Sequence, residues 1–284
     1  MKRIVDICHL HKTKIGIQLA HAGRKGACYA PGAAKTRNTM PKEEGGWDLE
    51  APSAIAYNDV SDVPKALTME EVEGIVAAFT DGAKRAVKAG YDFIQIHAAH
   101  GFLLHEFLSP ISNHREDRYG GSFENRTRVV CEVMKSVRKA IPAGMPLFIR
   151  ISMSDFVEGG WDLDQSCQLV QMLVEGGLID GVDCSTSGIS PAQKLPSEWD
   201  FQLTMAAQLK ERTNALVIGV GGVWNAQTAS YAVDELKLDA VDVGKATLRH
   251  AFNPRCVARE LGVEGPAAPV HLQWASHVPA HAKY

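Results

Sequence analysis

Short apolar runs alternate with amphipathic helical patterns along most of the chain. Each run is five or six residues long, rich in apolar side chains, and bounded by Gly, Pro or polar residues, which predicts buried strands. The predicted strands are 15–20, 93–97, 147–152, 181–185, 216–221 and 240–244. Because a parallel crossover needs about a dozen residues and usually takes a helix, this alternation predicts parallel strands covered by helices.

The segments between the strands carry helix signals. Thr68 and Glu71 form a predicted capping box in front of an apolar stripe that ends at Gly90, and together they predict a helix with defined ends. Further helical patterns are predicted over 1–14, 129–137, 164–175, 201–212, 225–236 and 246–260.

Either an open doubly wound sheet or a (β/α)8 barrel would produce this order of elements. No Gly-x-Gly-x-x-Gly opens a helix after the first strand, which weakens the dinucleotide-binding sheet. Long polar segments follow the strands, and barrels carry their functional residues at the carboxyl ends of strands. No linker divides the chain, so we predict an α/β protein of the TIM-barrel type with a single domain over 1–284. Within it, 21–67 is predicted as an active-site loop region and 265–284 as an irregular tail.

The number of strands differs from that of a complete barrel. A (β/α)8 barrel has eight strands, and six are predicted. The last two end in Gly221-Gly222 and Gly244-Lys245, and barrel phosphate sites usually follow strands seven and eight. On this assignment the first predicted strand is the third of a barrel. We therefore expect an N-terminally truncated barrel of about six β/α units that lacks the first two.

Composition excludes several classes of protein. The chain is 45% hydrophobic and 22% charged, with a net charge of -3, and it lacks the basic excess typical of nucleic-acid binders. No apolar run approaches the roughly 20 residues that span a bilayer. Six widely spaced cysteines predict free thiols in a reducing compartment. We expect a cytoplasmic protein with a small-molecule substrate and no nucleic-acid or membrane partner, and homo-oligomer formation stays open.

Two histidines follow the second predicted strand. His97 and His100 leave its carboxyl end, where two imidazoles could hold one carbonyl or anionic oxygen, since imidazole donates a hydrogen bond without a full charge. Spacing alone leaves two other interpretations open. The pair could be structural, or it could bind a metal with His105 or Glu106.

Polar residues also interrupt apolar strands. Gln18 and Arg150 would not lie in a barrel core without partners. A structural network is one explanation, and a polar heterocycle that carries negative charge is the other. Gly221, Gly222 and Gly244 would let backbone N–H groups approach a phosphate, and Lys245 adds a cation.

These motifs together resemble a known family. The resemblance depends on His97-Ala-Ala-His-Gly-Phe-Leu103, 106–113, 115–122, 124–126, Gln18-Leu-Ala-His-Ala-Gly-Arg24 and Ala51-Pro-Ser-Ala54. The chain is similar to the old yellow enzymes, which are FMN-dependent NAD(P)H oxidoreductases (NADH:flavin oxidoreductases and NADPH dehydrogenases), and within them to the bacterial-type, thermophilic-like branch. The resemblance extends from about residue 10 to about residue 262 and displaces the metal interpretation.

The resemblance implies FMN at the carboxyl ends of the barrel strands, with NADPH or NADH as its reductant. By position, Gln18 and Arg150 match residues that contact the edge of the flavin ring. The phosphate cradle corresponds to Gly221, Gly222, Gly244 and Lys245. The resemblance also implies that His97 and His100 bind the carbonyl oxygen of an activated alkene, whose β-carbon takes a hydride from the reduced flavin.

This chain departs from the family pattern at two of these positions. Phe102, at the substrate site, replaces the usual proton-donor tyrosine, and since general acid catalysis is worth about 10²–10⁴-fold, we expect a shift from reduction toward dehydrogenation or isomerisation. Lys245 replaces an arginine, so the charge stays but the bidentate fork to phosphate is lost. Together with the missing units, these departures leave an alternative open: a flavin-free remnant that acts as a binding or scaffold protein.

Overall fold

The computed structural model describes residues 1–30, 33 and 38–263. The predicted tail 265–284 lies outside the described residues. The strands are β1 Gly16–Leu19, β2 Glu50–Ala51, β3 Lys65–Ala66, β4 Phe93–Ala98, β5 Leu147–Ser152, β6 Gly181–Ser185, β7 Val217–Val220 and β8 Ala240–Asp242. Six of them form one parallel sheet in the order β1-β4-β5-β6-β7-β8, and β2 pairs with β3 separately.

The order of strands distinguishes the two predicted architectures. In the six-stranded sheet each strand pairs with the next one along the chain, apart from the small β2–β3 pair. A doubly wound sheet reverses direction at a switch point, whereas a barrel does not. The sheet is therefore a run of consecutive barrel strands. All six predicted strands are confirmed, with ends that differ by up to two residues.

Helices connect the strands. They are α1 Lys2–Leu10, α2 Met69–Ala89, α3 Leu103–Leu108, α4 Phe123–Ala140, α5 Leu163–Glu175, α6 Phe201–Thr213, α7 Ala226–Ser230, α8 Lys245–Arg249 and α9 Asn253–Glu260, with 3₁₀ turns at Gly23–Lys25 and Lys42–Glu44 and a π turn at Tyr231–Glu235. The capping box of α2 is confirmed, because Thr68 Oγ1 accepts from Glu71 N and Glu71 Oε2 accepts from Thr68 N. Gly90 ends this helix in the left-handed region, at φ 90°.

Two predicted helices differ from the structure. The pattern over 246–260 is two helices, α8 and α9, separated by a turn at 250–252. The physical reason is Pro254, which lacks an N–H group and therefore fits the first turn of a helix but not its interior. The predicted helix over 1–14 ends at Leu10. The short helix α3 was not predicted.

Alternation along the strands separates an apolar face from a polar one. Ile94 and Ile96 of β4 are fully buried in the apolar core between the sheet and its helices. The residues between and after them, Gln95 and His97, lie on the opposite face, because successive side chains of a strand alternate. Directly paired residues of parallel strands share a face, and Arg150 of β5 is the partner of His97. The polar face is thus the inner face of the barrel.

Among the described residues, no helix is both long and apolar enough to cross a membrane.

Candidate active site

The two histidines meet at the carboxyl end of β4. His97 is the penultimate residue of this strand, and His100 follows in the left-handed region at φ 59°. The turn is held from a neighbouring strand, since His100 N donates to Ser152 Oγ at 2.9 Å. It brings the two rings together, with centroids 5.1 Å apart and His100 Nδ1 3.4 Å from His97 Nε2. His100 Nε2 also lies 2.7 Å from Ser185 Oγ.

Both imidazoles are neutral at pH 7. Burial, followed by the positive charge of Arg150, lowers the pKa of His97 to about 4. Burial, followed by the neighbouring His97, lowers the pKa of His100 to about 3. A neutral imidazole has one N–H donor and one acceptor nitrogen. His97 Nδ1 is buried and has no hydrogen-bond partner among the described residues. Each neutral ring therefore keeps one N–H group that can donate to an incoming oxygen.

A chain of polar side chains crosses the inner face below the histidines. Gln18 Nε2 donates to Gln95 Oε1 at 2.5 Å, and Gln95 Nε2 donates to Asp183 Oδ2 at 3.0 Å. Arg150 Nε lies 3.2 Å from the same carboxylate oxygen. Gln18 and Arg150 were predicted, whereas Gln95 and Asp183 were missed. The signal that identified Gln18, a polar residue inside an apolar strand, was also present at both missed positions.

The polar side chains of the inner face differ in their exposure to solvent. Asp183 is fully buried, and burial, followed by the neighbouring Asp242, raises the pKa of its carboxyl group. Arg150 is half-buried, and within 1–30, 33 and 38–263 its two terminal amino groups make no hydrogen bond, so both are available to donate to an anion. Gln18 is exposed because β1 is an edge strand of the six-stranded sheet.

The predicted phosphate residues follow β7 and β8. Gly221 and Gly222 adopt φ values of 101° and 71°, which favour glycine. A Cβ atom on Gly221 would also lie 2.2 Å from Gln202 Nε2. Gly244 and Lys245 are exposed at the start of α8. Since β7 and β8 are adjacent and parallel, both segments lie at the same edge of the sheet.

Two side chains behind the histidine turn, His105 and Asp155, fix its backbone. Gly101 N donates to His105 Nδ1 at 2.9 Å, and His105 Nε2 lies 2.9 Å from Asp155 Oδ1. Both side chains are fully buried. Burial by itself would raise the pKa of Asp155, but His105 and the hydrogen bonds from Ser109 and the Trp161 backbone outweigh it and lower that pKa. The acceptor role of Nδ1 places the His105 proton on Nε2, facing the carboxylate.

Lys25 is a further site residue that the sequence prediction missed. Its Nζ donates to His100 O at 2.8 Å and to Gly188 O at 3.0 Å. The same nitrogen lies 4.7 Å from the ring centroid of Tyr57 and 5.3 Å from that of Phe102. The Phe102 ring in turn lies 5.1 Å from His97. Nothing in the hydrophobic pattern points to Lys25, because it lies in a 3₁₀ turn after β1.

Arg24 connects the loops around the site. Its guanidinium donates to the carbonyl oxygens of Ile55, Ala56 and Ile189, at 3.2, 3.3 and 2.6 Å. Glu106 accepts from the Arg24 backbone N–H at 2.9 Å, and burial raises the pKa of Glu106 to about 8. Glu106 is thus largely protonated at pH 7. Within the described residues, no group of three or more His, Cys, Asp or Glu side chains could hold a metal ion.

Comparison with known proteins identifies the family. The sequence profile of the NADH:flavin oxidoreductase / NADH oxidase family matches residues 1–264. The chain belongs to this family. It is 42% identical to an NADH:flavin oxidoreductase of Gibberella zeae, over 93% of this chain and 67% of that protein. It is 38% identical to the NADPH dehydrogenase of Geobacillus thermodenitrificans, over 93% of this chain and 72% of the relative.

Membership confirms the predicted resemblance to the old yellow enzymes and the prediction of an oxidoreductase. The cofactors of this family are FMN and, as its reductant, NADPH or NADH, as predicted. The bacterial NADPH dehydrogenases among the relatives agree with the predicted branch.

Solved structures share the fold. Morphinone reductase superimposes with a TM-score of 0.72 at 24% identity, over 94% of this chain and 71% of that one. A 2-naphthoyl-CoA reductase complex gives a TM-score of 0.76 at 24% identity, over 91% of this chain. This chain spans 40% of the length of the 2-naphthoyl-CoA reductase. At this identity the likeness concerns the fold alone, and it confirms the prediction of about six β/α units of a TIM-type barrel.

Proposed function

We propose that this chain is an FMN-dependent NAD(P)H oxidoreductase that acts on an activated, enone-like alkene. The observation that carries the proposal is the pair of neutral imidazoles, His97 and His100, at the carboxyl end of β4 beside the guanidinium of Arg150. Their lowered pKa values keep one N–H donor on each ring at pH 7. Two such donors suit a carbonyl oxygen that gains negative charge during a reaction.

The residues of the inner face fit FMN. The terminal amino groups of Arg150 are available to an anionic ring system, and Gln18 offers an amide at the neighbouring edge. The phosphate would lie against Gly221, Gly222, Gly244 and Lys245, where backbone N–H groups and one cation meet at the same edge of the sheet. When bound, FMN supplies the hydride chemistry that no side chain of the protein offers.

The histidine pair binds and polarises the substrate in this proposal. His97 and His100 each donate one hydrogen bond to the carbonyl oxygen, which makes the β-carbon electron-poor. Phe102 lies against His97 and has no proton to give, so its ring contributes apolar contact only. The balance between reduction, dehydrogenation and isomerisation therefore depends on another proton source.

We extend the proposal to the organisation of the chain. Residues 1–284 act as one FMN-binding domain, and the segment 21–67 covers the site. The contact between the Tyr57 ring and Lys25 supports a covering role for this segment. Trp47 gives no such support, since it is 59% exposed. A cytoplasmic location and the formation of homo-oligomers stay predictions.

A spectrum of the purified chain tests the proposal. The protein is incubated with FMN, desalted, and titrated with NADPH under anaerobic conditions. We expect flavin absorbance close to one equivalent, which NADPH bleaches. Arg150→Met should retain less flavin, whereas Arg85→Met, which removes an exposed arginine of α2, should retain as much as the unchanged chain.

The alternative predicts a different spectrum. A flavin-free binding or scaffold protein would emerge colourless from desalting, and this outcome would contradict the proposal. The observation that favours the alternative is Phe102, which lies beside His97 in place of a side chain that could donate a proton. Bound flavin that NADPH and NADH both leave oxidised would contradict the proposed reductants.

A further inference from the structure

A lysine ammonium lies beside the ring that replaces the usual proton donor. Lys25 Nζ lies 5.3 Å from the centroid of the Phe102 ring, and His97 lies 5.1 Å from the same ring. Lys25 and the oxygen-binding histidines therefore flank one side chain. A substrate whose carbonyl oxygen is held by the histidines has its α-carbon only two bonds from that oxygen.

Two of the three ammonium protons of Lys25 are engaged. They are donated to His100 O and Gly188 O, which fixes the nitrogen between the loops that follow β4 and β6. Among the described residues, the third N–H has no acceptor. The Tyr57 ring lies 4.7 Å from the nitrogen, so an aromatic ring, rather than a carboxylate, is the neighbour on that side.

The charges around Lys25 favour the release of a proton. Burial lowers the pKa of Lys25, the nearby Arg24 lowers it further, and Glu106 and Cys28 oppose this effect. Glu106 is itself largely protonated at pH 7, because burial raises its pKa to about 8. His97 and His100 face Lys25 as neutral rings. The ammonium is thus without a strong counter-ion that would retain its proton.

We propose that Lys25 Nζ is the acid that protonates the α-carbon of the substrate, in the role that a phenol at position 102 would otherwise have. The inference rests on the proposed function and assigns its missing proton source. Bound flavin, reduced by NAD(P)H, would supply the hydride for the alkene β-carbon. The π electrons of the double bond form a new bond to the proton of Lys25. The resulting amine regains a proton from water, so the net change is the addition of one hydride and one proton.

Other groups near the site serve this role less well. Ser185 Oγ is engaged with His100 Nε2, and an aliphatic hydroxyl is a much weaker acid than an ammonium. Within the described part of the chain, Tyr57 carries a phenol beside Lys25, and a direct test must distinguish its contribution from that of Lys25. General acid catalysis contributes about 10²–10⁴-fold, so the loss of the true donor should be easy to measure.

The variant Lys25→Arg distinguishes a proton donor from a residue that only holds the two loops together. Arginine keeps the charge and can still donate to the two carbonyl oxygens, but a guanidinium retains its proton at every accessible pH. The readout is the ratio of alkene reduction to dioxygen reduction by the FMN-loaded, NADPH-reduced protein, since dioxygen needs no proton at carbon. We expect this ratio to fall about 100-fold in Lys25→Arg. Lys84→Arg, at an exposed ion pair on α2, is the matched control and should leave the ratio unchanged.

A second variant distinguishes the loss of the proton donor from a distortion of the site. Adding Phe102→Tyr to Lys25→Arg supplies a phenol and should restore the ratio at least tenfold. In the unchanged chain the ratio should also fall as pH rises through the pKa of Lys25, because only the ammonium carries the proton. In Lys25→Arg the ratio should not depend on pH in that range.

Each outcome bears on one of the two proposals. The role of Lys25 is overturned if Lys25→Arg keeps the ratio of alkene reduction to dioxygen reduction. It is also overturned if Tyr57→Phe lowers this ratio as much as Lys25→Arg does. A protein that binds FMN and accepts electrons from NADPH, but reduces no alkene until Phe102→Tyr is introduced, also overturns it while the flavin activity stands. A protein that binds no FMN contradicts the proposed function itself, and the role of Lys25 is then rejected with it.

Discussion

Burial controls the protonation of single residues around the site, and it acts in opposite directions on acids and bases. It keeps Glu106 neutral by raising its pKa and keeps His97 and His100 neutral by lowering theirs. Desolvation disfavours the charged form in both cases. The immediate surroundings of the histidines are therefore nearly uncharged at pH 7, apart from Lys25 and Arg150.

Glu106 should make the stability of the protein decrease with rising pH. Between about pH 4.5 and 8 the folded chain holds a proton that the unfolded chain has released, so the free energy of unfolding falls by up to about 1.4 kcal/mol per pH unit. Glu106→Gln should flatten this slope, since an amide does not titrate and its oxygen can still accept from Arg24 N. Urea denaturation at pH 5, 6, 7 and 8 measures how the free energy of unfolding changes with pH. Glu43→Gln, at an exposed glutamate, is the control, and equal slopes in both variants would contradict the assignment.

The histidine pair makes a prediction about turnover. His100→Ala removes one of two donors to the substrate oxygen, and the loss of one such donor typically costs about 10²–10³ in rate. We expect a decrease of this size in alkene turnover by the FMN-loaded protein, measured under saturating NADPH. His114→Ala, at an exposed histidine, should retain full turnover. A decrease of less than threefold in His100→Ala would show that this ring does not bind the oxygen.

At the scale of elements, the turn after β4 is shaped by left-handed backbone. His100 and Gly101 have φ values of 59° and 72°, and the turn lies directly against the loop at Gly188. His105 and Asp155 hold the Gly101 N–H from behind. The strand and α3 thus present the two imidazoles through a turn that few other sequences could adopt.

Gly101→Ala tests this element. A Cβ atom at Gly101 would lie 2.1 Å from Gly188 O, a distance at which something must shift, and the positive φ adds strain. We expect the free energy of unfolding to fall by about 2 kcal/mol or more, as measured by thermal or urea denaturation. At Gly144 a Cβ atom meets nothing within 4 Å, so Gly144→Ala should change stability by less than about 0.5 kcal/mol. Equal effects of the two substitutions would contradict a tightly packed turn.

At the scale of the whole molecule, the inner face of the sheet is open on the side of β1. Gln18, which a closed barrel would enclose, is exposed. A cofactor on this face would cover polar side chains that otherwise face water. Cofactor binding and global stability should therefore be coupled.

FMN should raise the unfolding temperature of the chain by mass action. A ligand at 100 times its dissociation constant stabilises the folded state by about 2.7 kcal/mol. We expect the midpoint of thermal unfolding, followed by circular dichroism, to rise with FMN concentration. Lys245→Ala should need more FMN for the same rise, whereas Lys14→Ala, at an exposed lysine, should follow the unchanged chain. An unfolding midpoint that is independent of FMN would contradict the proposed binding.

Local patterns in the sequence determined the elements of this protein. Apolar runs bounded by Gly and polar residues predicted all six strands of the main sheet, and the capping box at Thr68 and the glycine at Gly90 predicted both ends of α2. These features are readable because backbone hydrogen bonding and side-chain periodicity are local. The family motif around His97 and His100 likewise predicted a pair of imidazoles at the carboxyl end of a strand.

Only the tertiary structure decided which side chains meet. Lys25 contacts the loops after β4 and β6, and Gln95 and Asp183 join Gln18 to Arg150 across four strands. These contacts connect residues far apart in the chain, and no local pattern encodes them. The pKa values of His97 and His100 also depend on burial by several elements at once. The sequence by itself therefore determined the barrel units and the chemistry available, whereas the three-dimensional packing decided the protonation, the partners and the position of each site residue.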